Sequence, residues 1–201
     1  NNKFADAADK SIANYSFYFG ATNDNEGMIP FLDKQHVCGI KLFMGSSTGN
    51  MLVDRLDSLK YIFTHAHMLI ATHCEDQEII NRNIAIYKGK YDEDLPIQYH
   101  ALIRDEQACY QSSALAVKLA KETGARLHIM HISTARELDL LQHGPVDNKQ
   151  VTAEVCLPHL YYTDADYATL GTRIKCNPAV KTVTDRDALR QALRSGLIDV
   201  V

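Results

Sequence analysis

Lys41 stands inside an apolar run, Gly39-Ile40-Lys41-Leu42-Phe43-Met44, that leads into a loop rich in glycine and serine. A lysine is seldom buried without a partner, because taking an ammonium out of water costs several kcal/mol. Such a strand end calls for a counter-ion or for a chemical change at the amine. Two later apolar runs end in histidine: His73 in Leu69-Ile70-Ala71-Thr72-His73-Cys74-Glu75-Asp76, and His131 in Arg126-Leu127-His128-Ile129-Met130-His131-Ile132-Ser133-Thr134. One polar group at the C-terminal end of each of several parallel strands is how a (β/α)-barrel enzyme assembles its active site. Imidazole suits zinc, and two metal ions a few Å apart polarise a carbonyl and bring a shared water's pKa near neutrality. A bridge between two cations must be anionic. Lysine provides one only after its neutral amine has combined with carbon dioxide to give a carbamate, and lysine pKa values fall readily on burial. The pattern points to a metal site.

Other titratable residues have plainer readings. His128 lies an odd number of residues from His131, which on a regular strand sends it to the opposite face, toward the helices, as a structural residue. His65 and His67 form a His-x-His, but they follow an amphipathic helix rather than a strand. Arg104 with Glu106 precedes a helix and reads as a structural salt bridge or an N-terminal cap. The run Asp92-Glu93-Asp94 reads as a solvated loop. Asn177 before Pro178 fits a turn. The five cysteines are odd in number, scattered, and form no Cys-x-x-Cys pair. That argues against a disulfide framework or thiolate zinc site and suits a reducing cytoplasm. Cys74 adjoins His73, but adjacent strand residues face opposite ways.

The elements that must position these groups alternate along the chain. Strand patterns cover 15–21, 39–44, 68–73, 126–132, 151–156 and 196–201. Helical spacing relates Leu52, Leu56, Leu59, Ile62 and Phe63, then Ile79, Ile80, Ile84 and Tyr87, then Ala108, Leu115, Ala116 and Leu119 ahead of a C-cap at Gly124. Thr134 with Glu137 reads as a capping box opening a helix over 135–142 that Gly144-Pro145 closes; Thr184 with Asp187 opens a last helix that stops at Gly196. Alternation of this kind implies parallel strands and right-handed crossovers. There is no internal repeat or linker, so residues 1–201 read as one domain. Six strands are too few to close an eight-stranded barrel of roughly 250 residues. The pattern leaves open a doubly wound sheet or most of a barrel. With 21 basic and 25 acidic residues and a net charge of −4, the chain has no basic tract for nucleic acid. No apolar run approaches the length of a membrane span. The opening Asn1-Asn2-Lys3 lacks a methionine and suggests a piece of a longer protein.

The chain resembles the dihydroorotases of the cyclic amidohydrolase superfamily. The resemblance is carried by 40–51 around Lys41, by Thr72-His73-Cys74-Glu75-Asp76, by His131-Ile132-Ser133-Thr134-Ala135, by 152–160, and by Lys175-Cys176-Asn177-Pro178-Ala179-Val180-Lys181. It implies a partial (β/α)8 TIM-type barrel holding about strands three to eight. It implies two Zn2+ ions bridged by carbamylated Lys41 on strand four, with His73 and His131 as ligands of the second metal on strands five and six. Asn177, after strand seven, would contact substrate. Ser47 and Thr48, in the loop after the lysine, would close over it. His159 would be a supporting residue. The family's opening His-x-His with its arginine has no counterpart here. The family's catalytic aspartate, in Asp-His-Ala-Pro-His, is expected just beyond Val201, at the end of the last strand run, and Asp199 is no substitute. Residues 1–201 therefore carry no catalytic residue of their own and alone should be a poor catalyst. The implied activity is the reversible hydrolysis of L-dihydroorotate to N-carbamoyl-L-aspartate in pyrimidine biosynthesis, in the cytoplasm. The partner is a small-molecule substrate rather than nucleic acid or membrane. Open barrel edges would be covered by self-association, as in a homo-oligomer, or by flanking segments. An allantoinase or hydantoinase, or a non-catalytic dihydroorotase-like scaffold, are the alternatives.

Overall fold

In the computed structural model, residues 2–45, 50–91 and 95–201 are described. Five short parallel strands, β1 (Tyr18–Gly20), β2 (Gly39–Phe43), β3 (Ile70–His73), β4 (Leu127–Ile129) and β5 (Val151–Ala153), form one sheet in chain order. A doubly wound sheet reverses its strand order at a switch point. This one does not reverse. Helix α1 (Asn2–Lys10) precedes β1; α2 (Leu56–His65) joins β2 to β3, and α3 (Gln77–Tyr91), α4 (His100–Ile103) and α5 (Glu106–Thr123) lie between β3 and β4; α6 (Leu157–Tyr161), α7 (Tyr167–Leu170) and α8 (Val183–Arg194) follow β5.

Alternation along each strand divides the sheet into two chemically different faces. Ile40, Leu42, Ile70, Leu127, Ile129 and Ala153 pack with Leu59, Ile62 and Phe63 of α2, Ala116, Leu119 and Ala120 of α5, and Leu189 and Ala192 of α8. The opposite face carries the polar groups. Register pairs Lys41 with Ala71, Ala71 with His128, and His128 with Thr152, so these four share a row on that face. Phe43 pairs with His73 further along. His128 thus faces the same side as Lys41, not the helical layer expected from its spacing to His131.

Caps fix several helix ends. Asp105 accepts from the Ala108 amide at 2.8 Å and opens α5, and Gly124 closes it at φ +78°, as expected. The capping box of α8 is Thr182 with Asp185, two residues earlier than the Thr184–Asp187 pair suggested by spacing. Thr134 and Glu137 do exchange hydrogen bonds, but the turn they open is a 3-10 helix over Arg136–Leu140 rather than an α-helix. Glu137 is drawn inward, where Ser113 Oγ also donates to it at 2.7 Å. The expected sixth strand over 196–201 reduces to a single bridge between Glu154 and Val200. Val201, expected to finish that strand, lies outside any strand and is exposed. Buried Lys149 engages the start of the run. It takes up the carbonyls of Gly196 and Leu197 and pairs with Asp199 at 2.7 Å, while the Ala153 amide donates to the same carboxylate. Helix α1, with no buried residue, was not evident in the sequence.

Candidate metal centre

His73 ends β3 with its ring buried on the polar face. Its Nε2 lies 3.0 Å from Oε2 of Glu75, which is fully buried. An ionised carboxylate can only accept, so Nε2 carries the proton and Nδ1 holds the lone pair. That Nδ1 lies 3.3 Å from Nε2 of His131. Burial pushes the Glu75 carboxyl up, but the hydrogen bond from His73 and the charge of Arg104 outweigh it and hold the group below the ordinary carboxylate value. Arg104 makes a short ion pair with the same Oε2. Arg104 therefore pairs with Glu75, and the cap it was expected to provide is Asp105. Glu106 instead lies 3.6 Å from Arg136.

His131 reaches the site by leaving the strand pattern. Its φ is +40°, and among the described residues it is the one non-glycine with positive φ. Such a backbone is uncommon for an L-residue, costs about 1–3 kcal/mol, and persists where surrounding contacts over-determine it. Alternation would have kept His128 and Met130 on the polar face and turned His131 away. The twist brings it back. Burial, then the neighbouring His73 and Lys41, push the His131 imidazole down to about 3, so it is neutral near pH 7.

Lys41 completes the group. Its amine stands 4.2 Å over the Phe43 ring, and that ring lies 5.9 Å from the ring of His73, centroid to centroid. Burial pulls the amine down to about 8, against smaller opposing influences from Cys74 and Glu154. Lys41 Nζ, His131 Nδ1 and Glu75 Oε1 are buried without a hydrogen-bond partner.

These atoms fit a cation of the zinc type. Two nitrogens each about 2.0–2.1 Å from a tetrahedral zinc lie roughly 3.3 Å apart, which is the separation found between His73 and His131. An orphaned amine with lowered pKa is the form that reacts with carbon dioxide. Among the described residues no group of three His, Cys, Asp or Glu side chains gathers as a metal cage. Two imidazoles and a lysine are what this chain brings together.

The remaining expected residues are elsewhere. Asn177 lines a cavity of about 330 Å³ with His100, Arg104 and Lys175. Ser47 and Thr48 lie outside the described residues, as do Asp92, Glu93 and Asp94. The aspartate expected just beyond Val201 falls outside residues 1–201, and Val201 itself, an exposed apolar side chain, brings no acid or base to the site. His159 is buried and meets the Pro178 carbonyl at 2.9 Å, and His67 meets that of Leu32. Cys74 lies in the helix-facing core. Two carboxylates were missed. Glu75 stands two residues after His73, and Glu154 two residues after Thr152 of the Lys41 row, so alternation could have found both.

No protein-family model matches the chain. It is similar to a dihydroorotase of Carboxydothermus hydrogenoformans, 33% identical over 147 residues, or 70% of this chain and 33% of the relative. It is also 32% identical over 135 residues to an allantoinase of Bacillus velezensis, covering 66% of this chain and 29% of that protein. In fold it resembles the L-hydantoinase (dihydropyrimidinase) of Arthrobacter aurescens, with a TM-score of 0.83 at 23% identity over 94% of this chain and 42% of that one. The chain spans about a third of the length of these curated relatives. Parallel sheet, histidine pair and relatives agree: the chain belongs to the cyclic amidohydrolase superfamily.

Proposed function

We propose that residues 1–201 are strands three to eight of one amidohydrolase barrel domain and hold the metal-binding part of a dihydroorotase, which interconverts L-dihydroorotate and N-carbamoyl-L-aspartate. The observation that carries this reading is the approach of His73 Nδ1 to His131 Nε2 at 3.3 Å on the sheet face that also holds the orphaned Lys41 amine. Lys41, with its pKa near 8, releases a proton at modest cost. Its nitrogen then attacks carbon dioxide; one N–C bond forms, a second amine proton leaves to solvent, and the product is a carbamate with two oxygen donors. Bound Zn2+ ions would supply Lewis acidity toward the ring carbonyl and lower the pKa of an attacking water. The residues that would hold them are the Lys41 carbamate, His73 through Nδ1 and His131 through Nε2. Glu75, pinned by Arg104, keeps His73 in the tautomer that this requires. Asn177, Ser47 and Thr48 are proposed substrate contacts. Asp199 is occupied by Lys149 and the Ala153 amide, so the group that protonates the leaving nitrogen is proposed to lie outside these residues, just past Val201.

The allantoinase relative and the hydantoinase-like fold favour a second reading, a cyclic amidase with another ring as substrate. Turnover of dihydroorotate, hydantoin and allantoin by the full-length protein separates the two. Dihydroorotate is expected to react with the highest kcat/KM. Preference for either other ring would overturn the substrate assignment and leave the metal site standing. The described residues contain no helix long and apolar enough to cross a membrane.

A further inference from the structure

We propose that Glu154 is the positioning residue that holds His131 in its left-handed conformation and so aims His131 Nε2 at Nδ1 of His73. The inference rests on the metal-site reading above. Glu154 grips the end of β4 twice through its main chain: its amide donates to the Ile129 carbonyl at 3.0 Å, and its carbonyl accepts from the Ile132 amide at 2.9 Å. Met130 and His131 are the two residues between those hydrogen bonds, and His131 carries the positive φ.

The Glu154 side chain closes the same loop from within. Oε2 accepts from His128 Nε2 at 3.2 Å, and His128 Nδ1 lies 2.8 Å from Thr152 Oγ1. Glu154 is thus tied to β4 on both sides of the twisted residue, at His128 and Ile129 before it and at Ile132 after it. His128, in the Lys41 row of the sheet, acquires a role by this route. It fixes the rotamer of the carboxylate that fixes His131. Glu75 orients the ring of His73 directly; Glu154 would orient that of His131 through its backbone.

The test uses the full-length protein, stripped of metal and titrated with Zn2+ against a chromophoric chelator, with the visible spectrum of the Co2+ form as a second readout. Partners of this kind typically change metal affinity about 10–100-fold. E154A is expected to weaken Zn2+ binding by that factor and to alter the Co2+ spectrum while circular dichroism stays native. E154Q, whose amide oxygen still accepts from His128 Nε2, should restore most of the affinity. E154D keeps the charge on a shorter stem and should behave like E154A. If E154A does not fold, the ordering of E154Q above E154D carries the decision. Wild-type affinity in a folded E154A or E154D, or E154Q as weak as E154A, would overturn the proposal alone. A wild-type protein that binds no zinc would overturn the metal reading and this proposal with it.

Discussion

Lys41 has a buried amine with a pKa near 8 and no hydrogen-bond acceptor, a state that water or a carboxylate would ordinarily relieve. Its replacement by alanine is expected to reduce zinc in the full-length protein from about two equivalents to less than one, with activity lost and the fold retained. Metal analysis beside circular dichroism checks this, and undiminished zinc would remove Lys41 from the site. The buried histidines set a pH dependence. Burial lowers the pKa of His100, His131 and His159 below the ordinary 6.5, that of His131 to about 3. Between those values the unfolded chain binds protons that the folded chain refuses, so stability falls as pH falls. Urea midpoints of the metal-free protein should hold steady above pH 7 and decline from 6.5 downward; a midpoint that rises on acidification would contradict the assignment. Residue types made Lys41, His73 and His131 legible in the sequence. The facing of His128 was not, because alternation counted from His131 assumes a regular strand and the +40° φ breaks it.

At the scale of elements, the ends of β2 and β3 come into backbone contact at Gly45. A Cβ at that position would overlap the Glu75 carbonyl oxygen. G45A should therefore destabilise the protein by about 1–3 kcal/mol and, because the strain falls on Glu75, weaken zinc binding as well. Denaturation and metal titration read the two effects separately, and wild-type values in both would exclude the contact. Thr182 caps α8, whose Asp185 also accepts from the Ala135 amide just beyond His131. T182A should cost about 1 kcal/mol, whereas T184A should cost little; the reverse order in urea unfolding would favour the cap at Thr184. Helix spacing, the Gly124 cap and the Thr134–Glu137 pair could be read from sequence because each is a local signal. The α8 register could not be, because Thr182 and Thr184 offer the same spacing to Asp185 and Asp187, and the partner at Ala135 is 50 residues away.

Across the whole molecule, strand alternation and chain-order pairing give a one-sided layer of helices and leave the polar groups on the other face. The sequence pattern allowed either this unreversed order or a doubly wound sheet, because strand order depends on long-range pairing that periodicity does not encode. The run 196–201 has strand composition, yet its first carbonyls, at Gly196 and Leu197, go to Lys149, its pairing with β5 is confined to Asp199 and Val200, and Val201 is left exposed. Breaking that buried pair with K149A should destabilise the protein by about 3–5 kcal/mol, read as a lower denaturation midpoint with zinc affinity unchanged. The account as a whole is tested most directly by zinc-edge anomalous diffraction from crystals of the full-length protein grown with bicarbonate. The expected result is an anomalous peak between His73 Nδ1 and His131 Nε2, with density for a carboxylated amine at Lys41. Zinc bound elsewhere, with the two imidazoles still hydrogen-bonded to each other, would contradict it.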